Sequence, residues 1–217
     1  YDILGNNFKD RSLTIKNSKI FFRNLDEEVL FINKILKFKY YHENKELKNI
    51  FYSENEIFNI PFSMKLFFNK NKTKISSLIN SNLLKLQIED ELTINKEKKI
   101  GKSEIIFNKT KKILKYEFER NYLNFLFFDK NDRPNLNYKG KFNLKPFYAS
   151  MEGNLDEINL NYLFNSNSFI VQLLKTEIFN NKNIDFILNI NADKIYKNEN
   201  FKNVNLKSKI IDGFIDL

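Results

Sequence analysis

The chain has 217 residues, 36 Lys and Arg against 27 Asp and Glu, a formal net charge of +9 and no Cys. The missing Cys excludes a disulfide framework, a thiolate metal site and a Cys nucleophile; 42% hydrophobic residues, with 23 Phe and 10 Tyr, argue against global disorder. No run approaches the ~18 apolar residues of a transmembrane helix. The sequence opens on Tyr1 and stops within an alternating pattern at Ile215-Asp216-Leu217, so we expect one domain cut from a larger protein, with a sub-boundary near 150–165.

The dominant signal along the chain is period-two alternation, the mark of strands with one buried face. Leu13 and Ile15 alternate with polar neighbours, Asn17-Ser18 predicts a turn, and Ile20 and Phe22 open a second strand. Val29, Phe31 and Ile35 predict another; Phe38 and Tyr40 lead to a turn at Glu43-Asn44-Lys45, followed by Leu47, Ile50 and Tyr52. The segment Ile57 to Phe62 contains Pro61, which cannot donate a ladder hydrogen bond, so that strand is expected at an edge or bulged. Leu84, Leu86 and Ile88 alternate with Lys85, Gln87 and Glu89, and Leu92 and Ile94 keep the parity. Ile105-Ile106-Phe107 reads as a strand, Asn108 to Lys111 as a turn, and Leu114, Tyr116 and Phe118 as the next strand. Around Leu123, Phe125 and Phe127 the intervening Leu126 and Phe128 are apolar too, which predicts a strand covered on both faces. Asp129 to Pro134 is a loop, and Leu136, Tyr138, Phe142 and Leu144 resume the alternation.

From Ser168 to Phe179 the period changes. Phe169, Ile170, Leu173, Leu174, Ile178 and Phe179 suit one stripe of a helix of about three turns, capped by Ser168 and stopped by Asn180-Asn181. Strands return with Ile184, Phe186, Leu188 and Ile190, then Val204 and Leu206 after a turn at Asn198-Glu199-Asn200, then Ile211 to Leu217. Roughly ten to fourteen strands without strand–helix–strand alternation point away from a parallel α/β sheet. The expected fold is all-β: a long antiparallel meander, curved or groove-like, with one short helix.

Chemistry is sparse. His42 has no second His or Cys with which to hold a metal, and nothing marks a nucleophile beside it. The acid pairs Glu27-Glu28, Asp90-Glu91 and Asp156-Glu157 read as turn or rim charges, because neighbours on a strand point to opposite faces. The glycines are isolated, so no phosphate-cradling loop forms. Lys96-Glu97-Lys98-Lys99 and Lys109-Thr110-Lys111-Lys112 read as solvated turns, in a chain whose Lys, Asn, Ile and Phe usage suits AT-rich codons. Aromatics beside charges, as in Lys115-Tyr116-Glu117-Phe118, could stack bases, but they sit at strand parity and fit a sheet core better. We therefore expect no enzyme, no catalytic residue, no metal, no cofactor and no nucleic-acid partner.

Two regions carry a family resemblance. Leu13-Thr14-Ile15-Lys16-Asn17-Ser18-Lys19-Ile20-Phe21-Phe22-Arg23 looks like the strand, Asn-Gly turn, strand hairpin that recurs in AsmA-like proteins, with Ser18 in place of Gly. The stretch from Leu160 through Ile184 to Ile195, with Ala192-Asp193, then Phe201 to Leu206, then Ile211-Asp212-Gly213-Phe214-Ile215-Asp216-Leu217, is similar to the C-terminal AsmA pattern. The resemblance implies a large periplasmic protein anchored in the inner membrane of a Gram-negative bacterium. It also implies curved sheets with an apolar groove, a part in phospholipid transport and outer-membrane biogenesis, and no catalytic residues.

Such a role has a physical basis. An acyl chain of ~15 carbons loses roughly 12 kcal/mol of burial on entering water, at ~0.8 kcal/mol per CH₂, and a meander of alternating strands offers one continuous apolar face to replace it. The candidate lipid-lining residues are Leu84, Leu86 and Ile88, then Leu114, Tyr116 and Phe118, then Phe186, Leu188 and Ile190. The partners expected are phospholipid acyl chains, the inner and outer membranes, and the remaining part of the same chain. The alternative is a purely structural envelope module whose apolar face packs against the rest of its own chain, and single-stranded nucleic-acid binding ranks behind both.

Overall fold

The structure, a computed structural model, describes residues 12–23, 27–43, 48–68, 73–95, 98–107, 110–119, 121–129, 137–144, 147–163, 165–166, 171, 175, 181–182 and 185–216. Strands β1 (Leu13–Arg23), β2 (Val29–Glu43), β3 (Lys48–Ile57), β4 (Ile60–Phe68) and β5 (Lys74–Ser81) are followed by β6 (Leu86–Ile94), β7 (Lys99–Phe107), β8 (Thr110–Glu119), β9 (Tyr122–Asp129) and β10 (Asn137–Leu144). Then come β11 (Phe147–Ile158), a four-residue helix α1 (Leu160–Leu163), β12 (Asp185–Ile195), β13 (Asn198–Ile211) and β14 (Phe214–Asp216). All fourteen strands form one sheet in sequence order. Every pair is antiparallel except β11 and β12, which run parallel. The closest backbone approaches of each strand are to its ladder neighbours.

Turn chemistry explains the short hairpins. Phe58 and Asn59 join β3 to β4 with both φ angles positive, as do Asp212 and Gly213 between β13 and β14; a two-residue turn with positive φ at both positions matches the twist of the strands it joins. Phe58 is an unusual residue for that backbone, and its ring is held against Phe31, with centroids 6.0 Å apart.

Several expectations are corrected. Asn17-Ser18 is not a turn: Leu13–Arg23 is one continuous strand, and Asn17, at φ 51°, is a kink within it. Its side chain can hydrogen-bond locally and tolerates the left-handed region, so the residue type that suggests a turn here serves a bulge, and the hairpin on which part of the resemblance rested is absent. Pro61 lies in an interior strand, paired with Glu56 on one side, but the β4–β5 ladder begins only at Ser63, so the missing N–H costs no bond on that side. Leu126 is 41% exposed, so β9 is not covered on both faces. The turn between β12 and β13 is Tyr196-Lys197, two residues before the expected one. Lys111 and Lys112 belong to β8 rather than to a turn. The helix expected over Ser168–Phe179 lies outside the described residues, save the helical Val171 and the turn residue Lys175.

The sheet curls. Asn181 Nδ2 donates to the carbonyl of Leu30, in β2, yet Asn181 stands only four residues before Asp185, the first residue of β12. Four residues reach at most about 14 Å, whereas ten spacings of about 4.8 Å would put β2 and β12 about 48 Å apart on a flat sheet. Burial favours one side, although Ile50 and Ile113 are buried on the other. Ser53, Asn55, Ser81 and Ser103, the buried polar residues, share one face with Tyr40, Ala149, Ile190, Ala192 and Ile210. Side chains converge on the concave side of a curved sheet and diverge on the convex one, so this apolar face is the inner one. The opposite face carries ion pairs such as Lys34–Glu56 and Lys139–Glu152 and an Asn154–Asn191–Asn205 hydrogen-bond ladder.

The densest packing is local. Ile158, Ile190 and Ala192 form a buried cluster against Tyr138, Leu155, Leu188, Val204 and Leu206, while Ile15 on β1 is 40% exposed. In urea denaturation Ile190→Ala should lower stability by roughly 2–4 kcal/mol and Ile15→Ala by less than ~1 kcal/mol; equal losses would contradict this gradient of burial.

Candidate functional site

Register decides which apolar residues share the inner face. Across β8 to β13 three rows of direct partners form. Leu114 lies opposite Phe127, then Tyr138, Gly153, Ile190 and Leu206. Tyr116 leads through Phe125, Gly140 and Met151 to Leu188. Phe118 leads through Leu123, Phe142 and Ala149 to Phe186 and Ile210. The first and third rows cross five strand spacings, about 24 Å, and the second crosses four. Toward the other edge, Leu86 and Ile88 continue the face opposite Ser81 and Ile79. Eight of the nine sequence candidates therefore lie on one face, and those of β8 meet those of β12 row for row. Leu84 does not join them: it lies in the Asn82–Lys85 turn and is 6% exposed, because the strand starts only at Leu86.

The floor of this face is made by rings laid over glycines. A Cβ on Gly101 would stand 1.9 Å from Tyr116 Cζ, one on Gly140 would stand 2.3 Å from Phe125 Cζ, and one on Gly153 would stand 2.5 Å from Tyr138 Cε1. In each case ring and glycine are direct cross-strand partners, so the aromatic side chain fills the space its partner leaves empty. Further along, Tyr40 and Phe51 approach to 4.7 Å between ring centroids, Phe51 and Phe68 to 5.3 Å, and Phe125 and Phe142 to 5.3 Å. The lining is thus largely aromatic and nearly continuous, which sequence parity indicates but glycine positions alone do not.

Polar residues interrupt it at Ser53 and Asn55 in β3, at Ser81 in β5, and at a node around Asp90. Asp90, in mid-β6, accepts a hydrogen bond from Ser103 Oγ at 2.6 Å, and Tyr116 Oη lies 2.8 and 2.9 Å from its two carboxylate oxygens. Burial first, then the hydrogen bond to Asp90 and its negative charge, push the Tyr116 phenol above its ordinary range. Burial alone raises Tyr138. The Asp90-Glu91 pair is therefore not a rim feature: Asp90 faces inward, while Glu91 pairs with Lys74 at 2.9 Å. Sequence reasoning passed over Asp90 although it shares the parity of Leu86, Ile88 and Leu92; what parity cannot show is its partners. Glu157, next to the last residue of β11, lies near Lys194.

Nothing in this arrangement assembles a reactive centre. His42 Nδ1 lies 2.9 Å from Asn49 Oδ1, and no group of three metal-ligating side chains occurs among the described residues. No helix among them is long and apolar enough to cross a membrane. Comparison with family models, curated proteins and solved structures finds no match to this chain.

Two outcomes follow from the node. Because the folded-state pKa of Tyr116 lies above the unfolded value of 10.0, the stability it contributes is fully present below about pH 10 and is lost as pH rises through the folded pKa. Tyrosinate absorbance, taken as a difference against Tyr116→Phe, should show Asp90→Asn moving the transition down toward pH 10 without reaching it, since burial is the larger cause. Gly101→Val should displace the Tyr116 ring, break both of its contacts to Asp90 and destabilise the fold by about 2 kcal/mol or more, while the exposed Ile100→Val should change stability by under ~0.5 kcal/mol.

Proposed function

We propose that this chain is a non-enzymatic lipid-binding or lipid-transfer scaffold of the bacterial envelope, whose inner apolar face shelters acyl chains. The reading places it in the periplasm as part of a larger inner-membrane-anchored, AsmA-like protein serving phospholipid traffic or outer-membrane assembly.

One observation carries the proposal: the fourteen strands form a single curled sheet, and eight of the nine candidate lining residues share one face of it. The molecule exposes 15115 Å², against about 10,600 Å² for a compact monomer of 26.1 kDa. An ordinary domain would bury such a face against another sheet or a helix layer. Thirteen strand spacings give the face a length of about 62 Å measured along the curl, several times the thickness of one acyl chain. Aromatic rings and branched aliphatics replace, along that whole path, the burial that a lipid tail loses on leaving a bilayer. The outer face, with its Lys–Glu pairs, keeps the other side of the sheet in water.

Native mass spectrometry of the purified chain should show bound phospholipid released by collisional activation. Leu188→Asp, in the middle of a lining row, should cut the lipid-bound fraction several-fold while circular dichroism retains the strand signal. A chain that purifies lipid-free and stays indifferent to added phospholipid vesicles would overturn the proposal in favour of a structural module packed on the rest of its own chain.

A further inference from the structure

On the outer face, several strands answer their neighbours' cations with carboxylates, although within the sheet Lys102 of β7 also lies opposite Lys115 of β8. Lys34 and Lys37 of β2 lie opposite Glu56 and Glu54 of β3, at 2.5 and 3.9 Å. Lys139 of β10 lies opposite Glu152 of β11, at 3.1 Å. The edge strand β1 departs from this pattern. Its Lys19 and Lys16 face Lys34 and Lys37, and β1 contains no Asp or Glu. Like charges directly opposite one another destabilise a ladder, and neither Lys16 nor Lys19 has an ion pair among the described residues. Lys39 and Lys65, in the same corner of the outer face, also have none there. Together with Thr14, Tyr41 and Tyr52 they line an open cleft of about 630 Å³. On its inner side β1 shows Leu13, Ile15, Ile20 and Phe22, each between 40% and 49% exposed. Only β2 pairs with it among the described residues, so its outer backbone groups lack ladder partners there.

We infer that β1 is an acceptor edge for one further strand, supplied by a partner segment that alternates apolar with acidic residues. Its two carboxylates stand two positions apart. The template is β3 itself. Lys34 and Lys37 are three positions apart because β2 shifts register between Ile35 and Lys37, and the regular β3 meets them with Glu56 and Glu54. Lys16 and Lys19 repeat that three-residue spacing around the kinked Asn17. A regular incoming strand therefore meets them with acids at i and i+2, and its alternate residues extend the apolar inner face by one strand. A second copy of β1 is the poorer match, because it carries no carboxylate to set against these lysines. The inference concerns the edge and not the lipid-lining face, so it stands or falls independently of the lipid reading.

The test uses the 217-residue chain and a synthetic peptide of the β3 sequence, residues 48–57, with a control peptide carrying Glu54→Lys and Glu56→Lys. Fluorescence anisotropy should show saturable binding of the acidic peptide and binding of the control weaker by about tenfold or more. Lys16→Glu/Lys19→Glu in the protein, checked for fold by circular dichroism, should invert that preference. Hydrogen exchange should show new amide protection in β1. Binding of neither peptide would leave these lysines as guards against edge pairing and overturn the inference. Indifference to charge reversal, protection confined to other strands, or a concentration-dependent dimer of the free chain held through β1 would overturn it as well.

Discussion

The structure depends on parity held across successive ladders. A shift of one residue in any strand would turn its apolar set from the inner face to the outer one, so each pairing must agree with the one before it. Where the sequence departs from strict alternation, as between Ile35 and Lys37, the register shifts by one residue and parity is restored. The coupled kink at Asn17 lets β1 follow the same correction. Because agreement propagates from β1 to β14, fourteen short segments of ordinary amphipathic character become one apolar surface.

Curling follows from what occupies the two faces. On the inside, rings lie flat over Gly101, Gly140 and Gly153 and the buried polar residues are small, which lets side chains converge. On the outside, long Lys and Glu side chains spread apart while still pairing across strands. Exposed ion pairs contribute little stability each; their larger effect is on register, because a slipped strand would set like charges opposite one another. The parallel β11–β12 pair is the one departure from a meander, and it places Asn181 against the far end of the sheet. The chain thereby ties the two ends of the curl closer than the ladders alone require.

Much of the architecture was legible in the residues. Period-two alternation located most strands but passed over β5 and β11, and eight of the nine lining candidates fall on one face because parity is a local property. Leu84 was misassigned because a buried turn residue and a strand residue look alike at one position. Asn17-Ser18 read as a turn because Asn serves positive φ in turns and bulges alike. Asp90 was unreadable for a different reason: its partners Ser103 and Tyr116 are 13 and 26 residues away, and only strand pairing brings them together.

By itself, the sequence determined the all-β class, the amphipathic character of most strands, and the absence of cysteine chemistry, since each depends on residue type and short-range spacing. Tertiary structure alone decided that β8 and β12 share their lining rows, that these rows lie on one face of a single curled sheet, and that β1 is left with unanswered lysines. These depend on which strands become neighbours and in what register, and no single strand carries that information.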